Sequence, residues 1–217
     1  MHGWGGSIES FLGIAHFFCK DFRCILIDFY GFGSSPIDRV LTLQDYCLGV
    51  MEVLDYLGIK QAIFVGHSFG GRVGIEIASK TSYVNALMLI DSAGVKPSFS
   101  LRKFIQIKLY KIRKRLGLSV KGWGSSDYRQ LSPIMQATFV NIVNYHQDDL
   151  LHTIHCPTAI VWGKKDKETP MYMARRLLRN IPNARLYLLD GGHWSYIQSL
   201  GDFLPIFREW VESVCGG

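Results

Sequence analysis

A chain of 217 residues, 48% of them apolar and with a net charge of +6, has enough apolar material for the core of one folded domain, which excludes a disordered or purely solvating segment. Its five cysteines, Cys19, Cys24, Cys47, Cys156 and Cys215, show no paired spacing and leave one over, which argues against a disulfide framework and suits a reducing cytoplasm. No basic start leads into an apolar run with a small-residue cleavage site, and no stretch reaches the roughly 20 apolar residues of a membrane span, so the sequence predicts a soluble cytoplasmic protein.

In chain order, Ile25 to Asp28 reads as a short buried strand leading into the turns at Gly31 and Gly33, where Asp28 serves as a loop-organising carboxylate. Thr42 caps a helix whose apolar positions Leu43, Tyr46, Cys47, Val50, Val53, Leu54 and Leu57 recur at helical spacing, with Asp45 in its first turn and Gly58 at its end. The apolar run Ala62-Ile63-Phe64-Val65 predicts a buried strand, and Arg72 to Ser79 a helix. Between them lies Gly66-His67-Ser68-Phe69-Gly70. Further strands are predicted at Ala86 to Ile90, Thr158 to Trp162 and Arg185 to Leu189, and an amphipathic helix at Asp202 to Val214 with Phe203, Ile206, Phe207 and Trp210 on one side. Alternation of strand and helix predicts an α/β domain, a mostly parallel sheet covered by helices on both faces.

Gly-x-Ser-x-Gly alone is a weak signal, but a sharp strand-to-helix turn gives it chemical meaning. The flanking glycines remove side chains that would collide, and the hydroxyl of Ser68 is left exposed at the sheet edge. A hydroxyl is a poor nucleophile at neutral pH and needs an imidazole to take its proton and a carboxylate to hold that imidazole in the right tautomer. After the strand ending at Trp162, Gly163-Lys164-Lys165-Asp166 places a carboxylate in a loop. After the strand ending at Leu189, Asp190-Gly191-Gly192-His193 presents an imidazole. Ser68, Asp166 and His193 are therefore the candidate nucleophile, acid and base, in the order Ser, Asp, His. Asp91, at the end of the Ala86 to Ile90 strand, is the rival acid; Asp166 is preferred because it follows the strand immediately before that of His193. His67 reads as structural or pocket-lining, because adjacent side chains in such a turn point apart. Asp190 reads as a cap on the turn before His193. His152 and His155, ahead of Cys156, have no partner cluster and read as surface positions, so no metal site is expected.

The chain resembles the α/β-hydrolases. The resemblance rests on His2-Gly3-Trp4-Gly5-Gly6, on Ile25 to Ser35 with its two turn glycines, on the turn around Ser68, on Trp162-Gly163 with Asp166, and on Gly192-His193, and so runs nearly end to end. It implies one α/β-hydrolase domain over residues 1–217, with an oxyanion hole formed by the peptide N–H groups of Phe69 and Trp4. It also implies a helical cap insertion at 96–147 that helps choose the substrate. Relatives carry two strands and most of a third ahead of the His-Gly motif, and the third lies in mid-sheet between the strand ending near Asp28 and the one ending near Val65. The expectation is that the protein begins upstream of Met1; the alternative is that the two neighbouring strands close the gap.

Within 96–147, Leu101, Ile105, Leu109, Ile112 and Leu116 form a narrow apolar stripe. Arg102, Lys103, Lys108, Lys111, Arg113, Lys114 and Arg115 occupy the rest of the helix. A solvated cap helix packed on the body is the first reading, with attraction of anionic substrates or peripheral membrane contact as alternatives. No nucleic-acid recognition motif accompanies the charge. The function expected is a serine hydrolase, carboxylesterase-like, that cleaves an ester or related acyl bond of a small molecule through an acyl-enzyme, with no cofactor. A catalytically silent binding protein of the same fold, or a hydrolase of amide, thioester or carbon-carbon bonds, is the alternative.

Overall fold

Four short runs of apolar and β-branched residues make the sheet: β1 (Ala62–His67), β2 (Val84–Ile90), β3 (Thr158–Gly163) and β4 (Ala184–Leu189). They are hydrogen-bonded in the order β1-β2-β3-β4, every pair parallel. The computed structural model describes residues 1–98 and 126–216.

The period of two along each strand sorts the core into two halves. Leu87, Leu89, Ile160 and Trp162 face one side and pack with α2 (Leu43–Tyr56), α3 (Phe69–Lys80) and α6 (Met171–Asn180). Ala86, Met88, Ile90, Ala159 and Val161 face the other side and pack with α1 (Glu9–Phe18), the short α7 (Ser195–Gln198) and α8 (Leu200–Cys215). β2 and β3 are buried on both faces, as parallel strands under two helical layers must be. Between β2 and β3 lie α4 (Ser126–Gln130), α5 (Pro133–Asn144) and a 3₁₀ turn at Asp148–Thr153. The basic stretch from Leu101 to Leu116 lies outside the described residues. Among the described residues, no helix is long and apolar enough to cross a membrane.

Thr42 caps α2 as expected: its hydroxyl accepts from the Asp45 N–H and the Asp45 carboxylate reaches back to the Thr42 N–H, while Gly58 takes a positive φ of 68° just past the end. The strand expected at Ile25 to Asp28 does not form. Those residues are half-buried and, among the described residues, pair with no neighbouring strand. A strand exists by virtue of its ladder, and the only described backbone that reaches the open flank of β1 is Met1, whose amine donates to Val65 O at 2.9 Å and whose carbonyl accepts from His67 N–H at 3.1 Å. The two neighbours do not close over the space either. A cleft of about 410 Å³ separates Ile25–Ile27 from β1.

Candidate active site

Because every strand runs the same way, the loops that follow them meet at one rim of the sheet. Ser68 sits at the turn between β1 and α3 with φ 49° and ψ −106°, a positive-φ conformation that a residue with a side chain adopts only when its surroundings impose it. The Ser68 N–H donates to Ile90 O at 2.9 Å, and its carbonyl accepts from Ala93 N–H at 3.1 Å, so the neighbouring strand end fixes the turn. Gly66 is required there: a Cβ would lie 2.4 Å from the Gly70 carbonyl carbon.

His193 reaches the site from the loop after β4. Its Nε2 lies 3.0 Å from Ser68 Oγ and its Nδ1 2.9 Å from Asp166 Oδ2. With Nδ1 protonated toward the carboxylate, Nε2 is the acceptor for the serine hydroxyl. Asp166, in the loop after β3, is buried and fully engaged. Its Oδ1 accepts from the Glu168 and Thr169 N–H groups at 2.8 and 3.0 Å, and its Oδ2 accepts from the Thr169 hydroxyl at 2.5 Å. Burial pushes its pKa up, but the bonds from His193 and Thr169 outweigh this and hold it below the ordinary carboxylate value. Burial likewise opposes protonation of His193. The bond to Asp166 and the charges of Asp166, Glu168 and Asp91 overcome that, and the imidazole pKa is raised.

The structure therefore brings Ser68, His193 and Asp166 into one hydrogen-bonded chain. The rival Asp91 is turned elsewhere. It is wholly buried, with Oδ1 accepting from Gly163 N–H at 2.7 Å and Oδ2 from Ser195 N–H and hydroxyl at 3.2 and 2.6 Å. It ties together the loops that carry Asp166 and His193. Burial pushes its carboxyl up to about 6, against the bonds from Ser195 and Gly163.

Around this chain the first loop is drawn close. His2 is buried; its Nδ1 bonds Gly3 O at 2.8 Å and its Nε2 accepts from Phe29 N–H at 3.1 Å. Gly3 lies against Ser68: a Cβ on it would sit 2.7 Å from His67 Nδ1 and 3.3 Å from Ser68 Cβ. Trp4 follows, its ring edge-on to Phe69 and Phe32 at centroid distances of 5.4 and 4.9 Å and to Phe139 of α5 at 5.1 Å. Asp28 organises its loop as expected, accepting from Ile8 and Ser34 N–H at 2.8 and 3.0 Å.

Two contributors, Thr169 and Glu168, escape a reading of the sequence, and a third, His67, is read there only in outline. Thr169, buried beside Asp166, holds that carboxylate in place; the spacing Asp166-x-x-Thr169 ahead of Pro170 and a helix is the signal the sequence offers. His67 is structural as expected, and its contribution is specific. The His67 Nε2–H donates to the His193 carbonyl at 2.6 Å, and burial followed by the charge of His193 drives its pKa down to about 3, keeping the ring neutral. Glu168 places a mostly exposed carboxylate 3.5 Å from His193 Nε2. Asp190 does not cap the turn before His193 with its side chain, which pairs instead with Lys165 at 2.9 Å, because the chain there projects the carboxylate into solvent beside that ammonium. His152 and His155 are exposed.

Comparison with known proteins gives concordant matches. The model of the alpha/beta hydrolase family matches residues 1–204. The chain is 25% identical over 240 residues to the provisionally named carbamate hydrolase RutD of Stutzerimonas stutzeri, covering 99% of this chain and 91% of that protein. It is 26% identical to the 2-hydroxymuconate semialdehyde hydrolase of Pseudomonas putida, covering 88% and 76%. Among solved structures, a thermophilic esterase from Thermogutta terrifontis superposes with a TM-score of 0.76 at 21% identity, covering 98% of this chain and 88% of that one.

Proposed function

Since the chain belongs to the alpha/beta hydrolase family and is a hydrolase of that fold, we propose that it is a serine hydrolase that cleaves an ester or related acyl bond through Ser68, His193 and Asp166. The observation that carries this reading is the unbroken chain from Ser68 Oγ through His193 to Asp166, with links of 3.0 and 2.9 Å. Ser68 Oγ attacks the substrate carbonyl carbon while His193 Nε2 takes its proton, and Asp166 steadies the imidazolium that results. The carbonyl oxygen becomes an oxyanion, held by the N–H groups of Phe69 and Trp4. Each such donor contributes about 3 kcal/mol because it is aimed at charge that exists only in the transition state. Collapse expels the leaving group with the proton from His193, and water activated by the same imidazole releases the acyl group and restores Ser68.

Two features support the assignment of the donors. The Phe69 N–H opens α3 directly after the strained Ser68, and Gly3, next to Trp4 in the chain, lies close to Ser68. The helices α4 and α5, with Phe139 of α5 packed on Trp4, support the idea of a cap over 96–147 that shapes the acyl pocket.

The test is labelling by a fluorophosphonate probe together with turnover of p-nitrophenyl acyl esters. The expected result is stoichiometric labelling that Ser68→Ala abolishes, with ester turnover falling by at least about 10³-fold. A folded wild-type protein that neither labels nor turns over esters would overturn this reading and favour the silent binding protein instead.

A further inference from the structure

Two buried residues of α3 carry charge that the proposed mechanism does not use. Arg72 and Glu76, one turn apart, are 6% and 2% exposed. Burying a charge is costly unless it is paired and hydrogen-bonded, and an apolar pair of similar volume often stabilises a fold as well or better. Their partners show where the charge is used. Arg72 Nη1 donates to the Ile142 carbonyl at 2.7 Å and to the Tyr145 carbonyl. Glu76 accepts from Gln147 Nε2 at 2.8 Å and from the Tyr145 hydroxyl at 3.1 Å, with Lys80 and Gln44 on the same carboxylate. Gln147 Nε2 also donates to the Arg72 carbonyl at 3.0 Å. Burial pulls the Arg72 pKa down to about 10 against the charge of Glu76, so the guanidinium is still a cation at neutral pH.

Apart from Lys80 and Gln44, these partners lie at the C-terminal end of α5 or just beyond it. The last carbonyls of a helix lose their i+4 N–H partners, and α5 has no basic residue in its own last turn. Ile142 O keeps a long bond from Tyr145 N–H at 3.3 Å. Arg72 therefore supplies the donor from another helix. Apolar packing is non-directional, whereas charge-assisted hydrogen bonds to two carbonyls fix where α5 stands along its axis.

Both ends of this linkage bear on the proposed oxyanion hole. On one side Arg72 belongs to the first turn of α3: its N–H donates to the Ser68 carbonyl at 3.2 Å, and Phe69, one of the two proposed donors, stands three residues before it. On the other side Phe139, three residues before Ile142 in α5, packs edge-on against Trp4, the second proposed donor, at a centroid distance of 5.1 Å. Trp4 in turn meets the Phe69 ring at 5.4 Å, which closes a circuit from the nucleophile through α3, Arg72, α5 and Trp4 back to α3. We infer that Arg72 is a positioning residue for the oxyanion hole: by fastening the end of α5 to the helix of the nucleophile, it sets where Phe139 holds Trp4 and so the spacing of the two donors. The inference rests on the serine-hydrolase reading above. A donor moved off its mark loses its hold on the transition state and not on the substrate, so the loss falls on kcat.

A double-mutant cycle on p-nitrophenyl acetate tests it. Arg72→Met and Phe139→Ala are each expected to lower kcat about tenfold with KM within about threefold, less than the 10²- to 10³-fold loss on removing a donor outright. Together they are expected to cost about tenfold and not about 100-fold, because both break the same link. Should Arg72→Met not fold, Arg72→Gln, too short to reach both carbonyls, takes its place. Multiplicative losses, or an unchanged kcat per titrated active site despite a lower Tm, would show Arg72 to be structural only and overturn the inference. A second readout needs no turnover. With 5-fluorotryptophan incorporated, the ¹⁹F resonance of Trp4, assigned by Trp4→Phe, is expected to shift or broaden in Arg72→Met, while that of Trp210 in the opposite half of the core does not. A wild-type protein without ester turnover whose Trp4 resonance still responds would refute the serine-hydrolase reading and keep the link from α3 to Trp4. An active enzyme whose Trp4 resonance does not respond would overturn the link.

Discussion

Asp166→Asn separates the two candidate acids, because the structure fixes which way the new amide must lie. Asp166 Oδ1 accepts two backbone N–H groups, so the carbonyl oxygen of Asn keeps that position and its NH₂ takes the place of Oδ2, 2.9 Å from His193 Nδ1. A donor there forces the imidazole into the tautomer with Nε2–H, which cannot accept the Ser68 proton. The charge that steadies the imidazolium is lost as well: two unit charges 2.9 Å apart at an effective dielectric of about 20 interact by about 6 kcal/mol, equivalent to about 10⁴ in rate. The same exchange in a serine-protease triad costs about 10⁴ in kcat. Asp91→Asn breaks no hydrogen bond of His193, removes only the weakest of the charges that raise its pKa, and acts mainly on the rim. An NH₂ facing Ser195 N–H costs about 1–3 kcal/mol of stability, or a Tm lower by several degrees, with turnover per folded molecule within about tenfold of wild type. Ester kinetics on both variants, normalised by active-site titration and accompanied by thermal melts, measure the ranking. A larger loss of kcat in Asp91→Asn than in Asp166→Asn would refute the assignment of the acid.

Two further outcomes are expected. The His193 pKa is raised, and the proposed mechanism needs the neutral ring, so kcat/KM should fall as pH drops through a value above that of an ordinary imidazole; because Glu168 contributes to the raising, Glu168→Gln should move that acid limb to lower pH without changing the plateau. Stability runs the opposite way, since a raised folded-state pKa favours folding at low pH and that contribution is lost as pH rises through it. Gly3→Ala should lower Tm by several degrees, because its Cβ would lie 2.7 Å from the Nδ1 of the buried His67 ring, and should lower kcat of the remaining folded protein by about 10²-fold if the loop carrying Trp4 is pushed away from Ser68; kcat and KM measured separately will show whether the loss lies in the transition state.

What the sequence made legible was local, and what it hid depended on neighbours far along the chain. The turn at Ser68 could be read because strand, glycines and helix stand side by side, and α2 because Thr42 and Asp45 are three residues apart. Ile25 to Asp28 has every local mark of a strand and fails for want of a partner, which no window on its own residues can reveal. The bond from His67 to the His193 carbonyl spans 126 positions, and the pairing of Asp91 with Ser195 spans 104.

Between these extremes lies the site itself, whose convergence follows from a property of the whole sheet. Once all four strands are parallel, the residues after each strand end share one rim, so Ser68 after β1, Asp91 after β2, Asp166 after β3 and His193 after β4 become neighbours whatever their separation in sequence. Alternation of strand and helix is thus sufficient to bring two carboxylates near one imidazole, and insufficient to choose between them. The choice is made by backbone donors. Asp91, with φ 43° at the end of a buried strand, is committed to Gly163 and Ser195, whereas the Asp166 loop satisfies one oxygen with two N–H groups and leaves the other for His193 and Thr169. One carboxylate holds the rim in shape; the other keeps an oxygen on the imidazole of His193.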